Sequence, residues 1–492
     1  MNGPVPYPTV PLETPPEEVA LYEIRKKIYP RAVRGWFAAW RWAMVFLTQA
    51  IFYGLPWLTW NGRQAVLFDL GARKFYIFGL VFWPQDVIYL AILLILCALS
   101  LFLFTAVAGR LWCGYACPQT VYTEIFTWIE RKIEGDRLAR IRLDAAPLST
   151  RKFALKAFKH GTWLVVALWT GYSFVGYFTP IRDLGIRAIG WQLGPWETFW
   201  ILFYGFATYG NAGMMREQVC KYMCPYARFQ SVMFDQDTLV ITYDRDRGEP
   251  RGSRSRAVKP RDQGLGDCVA CNICVQVCPT GIDIRNGLQY ECIGCAACID
   301  GCNQVMDKMG YPQGLIRYST ANALTRNFDT RTMWHRVFRP RTLAYAAVLL
   351  AIVGVTVGSL ALKNPLKADV IRDRGPLARE LAPGVIENVY RVQLMNTDET
   401  PRQFTISAGG LPGLKVVGVE QPLAVGPAQT RLLALRLQLA LADEGEGGAA
   451  GNAAPRAPET IGPGAHKIEF IIQAVNDPQV NRHEQSSFII PR

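Results

Sequence analysis

Long apolar runs separated by basic stretches fill the first three quarters of the chain, and a period of two takes over in the last quarter. Five runs, at 42–60, 87–107, 160–178, 197–214 and 342–362, reach the ~20 residues a helix needs to cross a bilayer. A shorter apolar piece at 75–83, ending in Trp83-Pro84, reads as an interfacial or re-entrant segment on the outer side. In the tail Tyr390, Val392 and Leu394 alternate with polar neighbours. So do Phe404 and Ile406, then Leu435, Leu437 and Leu439, then Ile468, Phe470 and Ile472. Such runs, separated by Gly, Pro and Asn turns, predict an antiparallel β-sandwich of immunoglobulin-like type. A Gly/Ala/Pro-rich insertion near 443–465 reads as a disordered loop inside it.

The net charge of +13 on 492 residues changes this picture only in sidedness. The basic residues flank apolar runs, and no basic-aromatic recognition module accompanies them, so nucleic acid is not an expected partner. The loop between the second and third runs holds Arg131, Lys132, Arg137, Arg140, Arg142, Arg151, Lys152, Lys156 and Lys159, while 61–86 and 179–196 are poor in Lys and Arg. The positive-inside rule then puts the N-terminus inside and the tail after 363 outside. Residues 1–20 are acidic and rich in proline, so no secretory signal is expected.

Eight of the 13 cysteines lie between 268 and 302. Cys268, Cys271, Cys274 and Cys278 follow C-x2-C-x2-C-x3-C and precede Pro279. Cys292, Cys295, Cys298 and Cys302 repeat the spacing, with Asn303 in the place of a second proline. In bacterial ferredoxins the fourth cysteine of each run serves the other cubane. Cys268, Cys271, Cys274 and Cys302 are therefore expected to hold one [4Fe-4S] centre, and Cys292, Cys295, Cys298 and Cys278 the second. Structural zinc and a disulfide framework do not fit two full runs of this spacing.

Four more cysteines repeat a motif. Cys113-Gly114-Tyr115-Ala116-Cys117-Pro118 follows the second apolar run and Cys220-Lys221-Tyr222-Met223-Cys224-Pro225 the fourth. Helical i, i+4 spacing would put each pair on one face, and the proline marks a helix end or kink. Four such thiolates suit Cu(I), zinc or a further iron–sulfur cluster. Cys97 reads as packing. His160, His335, His466 and His483 are scattered, without ligand spacing; Met214, Met215 and Met223 flank the second pair and read as packing. No nucleotide fingerprint and no haem attachment motif is present.

The expected organisation is a cytoplasmic arm at 1–35 and a four-helix membrane region at 36–244. A flexible basic linker at 245–261 leads to the ferredoxin unit at 262–315. A connector at 316–341, a fifth span at 342–362 and the outer sandwich at 363–492 follow.

This combination resembles the CcoG (FixG/RdxA) family of accessory proteins for cbb3-type cytochrome c oxidase assembly; the likeness includes Ile28-Tyr29-Pro30-Arg31. The resemblance implies a multi-pass inner-membrane cupric reductase that supplies Cu(I) to the oxidase. It implies copper handling at Cys113, Cys117, Cys220 and Cys224, a cytoplasmic electron donor, and a copper chaperone or oxidase assembly factors as recipients. Membrane lipid is a further partner, and homodimerisation is left open. Two alternatives stand beside it: a quinol-linked membrane ferredoxin feeding a periplasmic reductase, and a non-enzymatic copper-binding scaffold.

Overall fold

Helices occupy all five apolar runs in the computed structural model, which describes residues 27–256, 264–326, 328–373, 378–382, 384–440 and 461–491. α1 (Trp36–Gly54) starts before its run and stops short of the expected 60, because Pro56 cannot continue a helix. α2 (Val87–Ala108) is followed by the short α3 (Leu111–Tyr115), the amphipathic α4 (Pro118–Glu134) and α5 (Arg137–Ala145). α6 (Thr150–Val175), with Ser149 as its N-cap, leads through α7 (Ile181–Ile189) to α8 (Pro195–Thr208). α8 runs on into a π-helical stretch, Tyr209–Met215. A second π turn, Val219–Met223, precedes α9 (Pro225–Met233).

Among the described residues, two helices are long and apolar enough to cross a membrane: Pro84–Ala108, of 25 residues, and Pro340–Ala361, of 22. Their apolar side chains face outward, as lipid contact requires. The other three fall short for visible reasons. α1 carries Arg41, α6 opens with Arg151, Lys152, Lys156 and Lys159, and α8 has only 14 residues. α6 packs on α8 and α4, and the last apolar helix packs on α2.

Residues 59–82, which include most of the short apolar piece at 75–83, are β-structure. They form a two-stranded hairpin and a three-stranded antiparallel sheet, Val66–Asp69, Lys74–Ile77 and Leu80–Phe82. This small platform seats the sandwich. Asp86 pairs with Lys363 at 3.1 Å and Lys367 at 2.5 Å, Arg63 pairs with Glu399 at 2.5 Å, and Met395 packs on Val81 and Trp83.

The basic linker is ordered where it is described. α10 (Arg245–Gly248) and the chain after it strap the first cysteine loop, with Cys268 N–H donating to Gly248 O and Gly252 N–H to Cys268 O. Arg247 pairs with Asp267 at 2.6 Å and Arg254 lies over Tyr311. The iron–sulfur unit therefore begins before 262: Val240–Tyr243 pairs antiparallel with Ile316–Ser319 and closes it at both ends. Inside are α11 (Ile273–Gln276) and α12 (Ala297–Met309). α13 (Ala321–Thr325) and α14 (Thr330–His335) then lead to α15 (Pro340–Ala361).

The tail is a sandwich of two antiparallel sheets. One has the order Lys415–Val417, Thr430–Ala440, Val385–Asn396, Leu366–Arg372, with Arg379–Ala382 also on Val385–Asn396. The other has Leu423–Val425, Arg402–Gly409, Gly464–Ala474, Asn481–Ile490. Every alternating residue named from the sequence is buried between them, and Tyr390 satisfies its hydroxyl on Ser487 O at 2.9 Å. The insertion expected near 443–465 lies outside the described residues up to 460, and Gly464 already belongs to a strand.

Candidate redox site

The crossed cysteine assignment appears as two cavities. One is lined by Cys268, Cys271, Cys274 and Cys302; the other by Cys278, Cys292, Cys295 and Cys298, together with Cys274. Their walls are otherwise mostly apolar, with Val305, Met306 and Leu315 at the first and Ile241, Ile282 and Ile293 at the second; Asn272 and Arg285 also line the first and Thr280 the second. The two C-x2-C loops share one backbone signature. Ala270 and Asn272 flank Cys271 with φ of 53° and 56°, and Gly294 and Ala296 flank Cys295 with φ of 70° and 59°. Left-handed alanine costs about 1–2 kcal/mol. Left-handed positions beside a cysteine are the kind of backbone that can turn N–H groups toward sulfur, as in the nests of Fe–S sites. Gly294, Ala297 and Ile316 N–H groups donate to Cys292, Cys295 and Cys302.

Donor chemistry and shape therefore fit two [4Fe-4S] groups, which when bound supply one-electron transfer. Burial pushes the Cys274 and Cys292 thiols up to about 11 and those of Cys295 and Cys302 up to about 12. Loading with iron must accordingly expel protons. Cys271 is exposed, whereas Cys295 is buried beneath α1. The first site thus faces solvent and the second faces the membrane helices.

The docking of α1 on the iron–sulfur unit was not visible in the sequence. Asp300 on α12 accepts from Ala38 N–H at 2.7 Å and Phe37 N–H at 3.3 Å, capping a helix more than two hundred positions away in the chain. Arg41 Nη1 donates to Cys295 O at 2.6 Å, and Tyr318 OH donates to Gly294 O at 2.7 Å.

The two C-x3-C motifs are related in backbone as well as in sequence. Gly109 (φ 51°, ψ −113°) and Arg216 (φ 45°, ψ −109°) turn the chain identically, each four positions before the first cysteine of its motif. Cys117 N–H donates to Trp112 O and Cys224 N–H to Val219 O, both spanning five residues. The expected i, i+4 helical pairing is corrected here. Cys117 and Cys224 stand outside the first helix, as N-caps of α4 and α9, because Pro118 and Pro225 take the first helical position of the next one.

The four thiols are linked electrostatically: Cys113 with Cys117 and Cys220, Cys117 with Cys220 and Cys224, and Cys220 with Cys224. Burial pushes Cys113 up to about 12 and Cys220 up to about 11. Among the described residues, no three His, Cys, Asp or Glu side chains converge as ligands of a single ion.

Cys113 and Cys220 pack against the buried cluster of Val277, Ile293, Cys295 and Ala297, which includes Ile293 and Cys295 of the second iron–sulfur site. Gly114, inside the first motif, lies against Gly294, between Cys292 and Cys295. A Cβ on Gly114 would meet Gly294 O at 2.7 Å and Cys295 N at 2.9 Å. Gly114→Ala must therefore push two backbones apart. We expect about 1–3 kcal/mol lower stability of this junction, read as a lower melting temperature.

The remaining candidates lie elsewhere. His160 Nδ1 bonds Tyr209 OH at 2.8 Å beside Trp163, and His466 and His483 are on the sandwich, His483 next to Glu469. His335 ends α14. Met214 and Met223 are exposed, not packed in a core, and Cys97 is exposed on α2.

Three family descriptions match the chain: a 4Fe-4S dicluster domain over 215–321, a 4Fe-4S binding domain over 90–135, and an IG-like fold at the C-terminal of FixG over 356–491. The nitrogen fixation protein FixG of Rhizobium meliloti is 39% identical over 432 residues, 81% of this chain and 82% of its own. The chain belongs to the FixG/RdxA family. Protein RdxA of Cereibacter sphaeroides is 39% identical over 460 residues, 87% of this chain and 96% of its own. More distantly, the ferredoxin-type protein NapH of Haemophilus influenzae is 22% identical over 232 residues, 44% of this chain and 68% of its own. A crystal structure of a FixG-related protein from Vibrio parahaemolyticus covers 25% of this chain and 95% of that one at 21% identity, with a TM-score of 0.19 that carries no weight for the fold. As a FixG/RdxA member with two apolar outward-facing helices, this is a membrane-bound iron–sulfur electron-transfer protein.

Proposed function

We propose that this FixG/RdxA protein takes single electrons from a cytoplasmic donor and reduces Cu(II) to Cu(I) at Cys113, Cys117, Cys220 and Cys224, for cbb3-type oxidase assembly. The observation that carries the reading is the packing of Cys113 and Cys220 against the cluster that includes Ile293 and Cys295, with Gly114 of the first motif against Gly294. It brings the membrane thiols against the inner iron–sulfur site. The exposed Cys271 site then serves as the entry for electrons. Thiolates prefer Cu(I) to the harder Cu(II), so the four cysteines favour the reduced product. Each turnover consumes one donor electron per copper ion, and the copper recipient is a chaperone or an assembly factor. Five crossings, with the N-terminus and iron–sulfur unit inside and the sandwich outside, fit the basic loop between α4 and α6 and the cysteine-free tail.

A second reading has its own support. The 4Fe-4S binding description over 90–135 takes in Cys113 and Cys117. Metal content of anaerobically purified protein separates them. Two cubanes' worth of iron plus bound copper supports cupric reduction; three cubanes' worth of iron and no copper refutes it in favour of a third cluster.

A further inference from the structure

Two buried arginines bracket the inner iron–sulfur site, and neither has a carboxylate partner among the described residues. Arg41 is 7% exposed and donates to Cys295 O at 2.6 Å. The acids that face it are otherwise engaged: Asp300 caps α1, and Glu124 pairs with Arg131 at 3.5 Å. Arg110 is 6% exposed, donates to Ala227 O, and leaves its Nε without a partner. Its main chain lies against Gly294, and its guanidinium acts electrostatically on Cys292, Cys113 and Cys220 together.

The outer site is arranged differently: its half-buried Arg254 reaches Cys268 O only at 3.5 Å, against 2.6 Å from Arg41 to Cys295 O. Arg285 lines it, but Asp283 grips that guanidinium with two bonds, Nε at 2.8 Å and Nη2 at 2.6 Å. The pair is neutral as a unit. Net positive charge near an iron–sulfur site raises its reduction potential, and burial strengthens the effect.

We propose that Arg41 and Arg110 make the Cys278/Cys292/Cys295/Cys298 site the more oxidising of the two, so that electrons entering beside Cys271 are drawn inward to the membrane thiols. The inference rests on the electron-transfer reading above, but not on the identity of the metal at the C-x3-C motifs. Arg110, placed between the inner site and the thiols, extends the same bias to Cys113 and Cys220. Both residues are positioning residues; the electrons themselves pass one at a time from donor to acceptor with no change at either guanidinium.

The test is an EPR-monitored redox titration of the full-length, iron-replete protein in detergent, for wild type, Arg41→Met, Arg41→Lys and Arg110→Met. Wild type should show two midpoints. Arg41→Met and Arg110→Met should each lower the higher midpoint and leave the lower one in place, and Arg41→Lys should restore it. If Arg41→Met loses iron, Arg110→Met decides alone, since the side-chain hydrogen bond of Arg110 goes to Ala227 O and not to a cysteine loop. An unmoved higher midpoint, or a shift confined to the lower one, overturns the proposal. Midpoints that behave as expected in a protein that never reduces copper leave the gradient standing and remove only the cupric reading.

Discussion

Replacing Cys113 and Cys117 together by serine is expected to abolish cupric reduction while both cubanes keep their full EPR signal. The same is expected of Cys220 and Cys224. The two functions separate because the ligand sets do: the cavity cysteines all come from 268–302, and none of the four membrane thiols lines either cavity. Serine keeps the volume of cysteine nearly unchanged, so the packing on Ile293 and Cys295 survives. What is lost is the soft donor that makes Cu(I) the favoured product. Copper content should fall to background, and turnover with a chemical reductant should fall by at least an order of magnitude, as for loss of a directly acting group. Disappearance of a cubane signal in these variants would show that the C-x3-C cysteines belong to the iron–sulfur sites themselves.

The second large effect is structural. Glu130 on α4 is 1% exposed and gathers Arg216 at 2.9 Å, Arg140 at 3.0 Å and Lys159 at 3.7 Å. Neighbouring Glu134 takes Lys159 at 3.0 Å and Lys156 at 2.9 Å. Glu130→Gln leaves three buried cations around a neutral amide, which should cost roughly 3–5 kcal/mol. The damage should reach the thiols. Arg216 occupies a left-handed backbone position where its counterpart in the first motif is glycine, and it is held there by Glu130 and by Gly213 O at 2.9 Å. With Glu130 neutral, the second cysteine arm is free to relax. A fall in melting temperature, with loss of copper binding but retention of iron, is the expected pattern.

The same carboxylate makes a pH prediction. Burial opposes its ionisation, but Arg216, Arg140 and Lys159 outweigh burial and hold it below the usual carboxylate range. A lowered folded-state pKa means that the stability Glu130 contributes is fully present above its unfolded value, ~4.3. It is lost as the pH falls through the folded value. The melting-temperature gap between wild type and Glu130→Gln should stay constant from neutral pH to about 5 and narrow progressively as the pH falls below about 4. A gap that persists in acid would place the stabilisation elsewhere.

What could be read from the sequence was whatever short-range spacing encodes. Alternation in the tail marked buried positions directly, since Tyr390, Val392, Phe470 and Ile472 have one face to choose and the sandwich core takes it. The x2, x2, x3 spacing carried over to the two cavities. Long-range devices left no local trace. Strands of two to four residues at 59–82 are too short for a period-2 signal, and the platform's ion partners, Lys363, Lys367 and Glu399, lie some three hundred positions downstream. Arg247 and Arg254 read as linker charges because Asp267, Pro312 and Tyr311 were not foreseeable as partners. Gly114 and Gly294 each look like an ordinary small residue, and only their mutual contact explains either. The i, i+4 expectation for the thiols failed at Pro118 and Pro225: the signal was present in the sequence but was read as an ending instead of a start.

The most direct measurement is rapid mixing of the anaerobic, fully reduced protein with one equivalent of Cu(II), following the iron–sulfur absorbance and a Cu(I)-specific chelate together. Wild type should reoxidise as Cu(I) appears, one electron per ion and with the same rate constant, and the Cys113/Cys117 and Cys220/Cys224 double serine variants should stay reduced. Cu(I) forming at the wild-type rate in those variants, or iron–sulfur centres that remain reduced while copper sits bound, would contradict a single redox path through the membrane thiols.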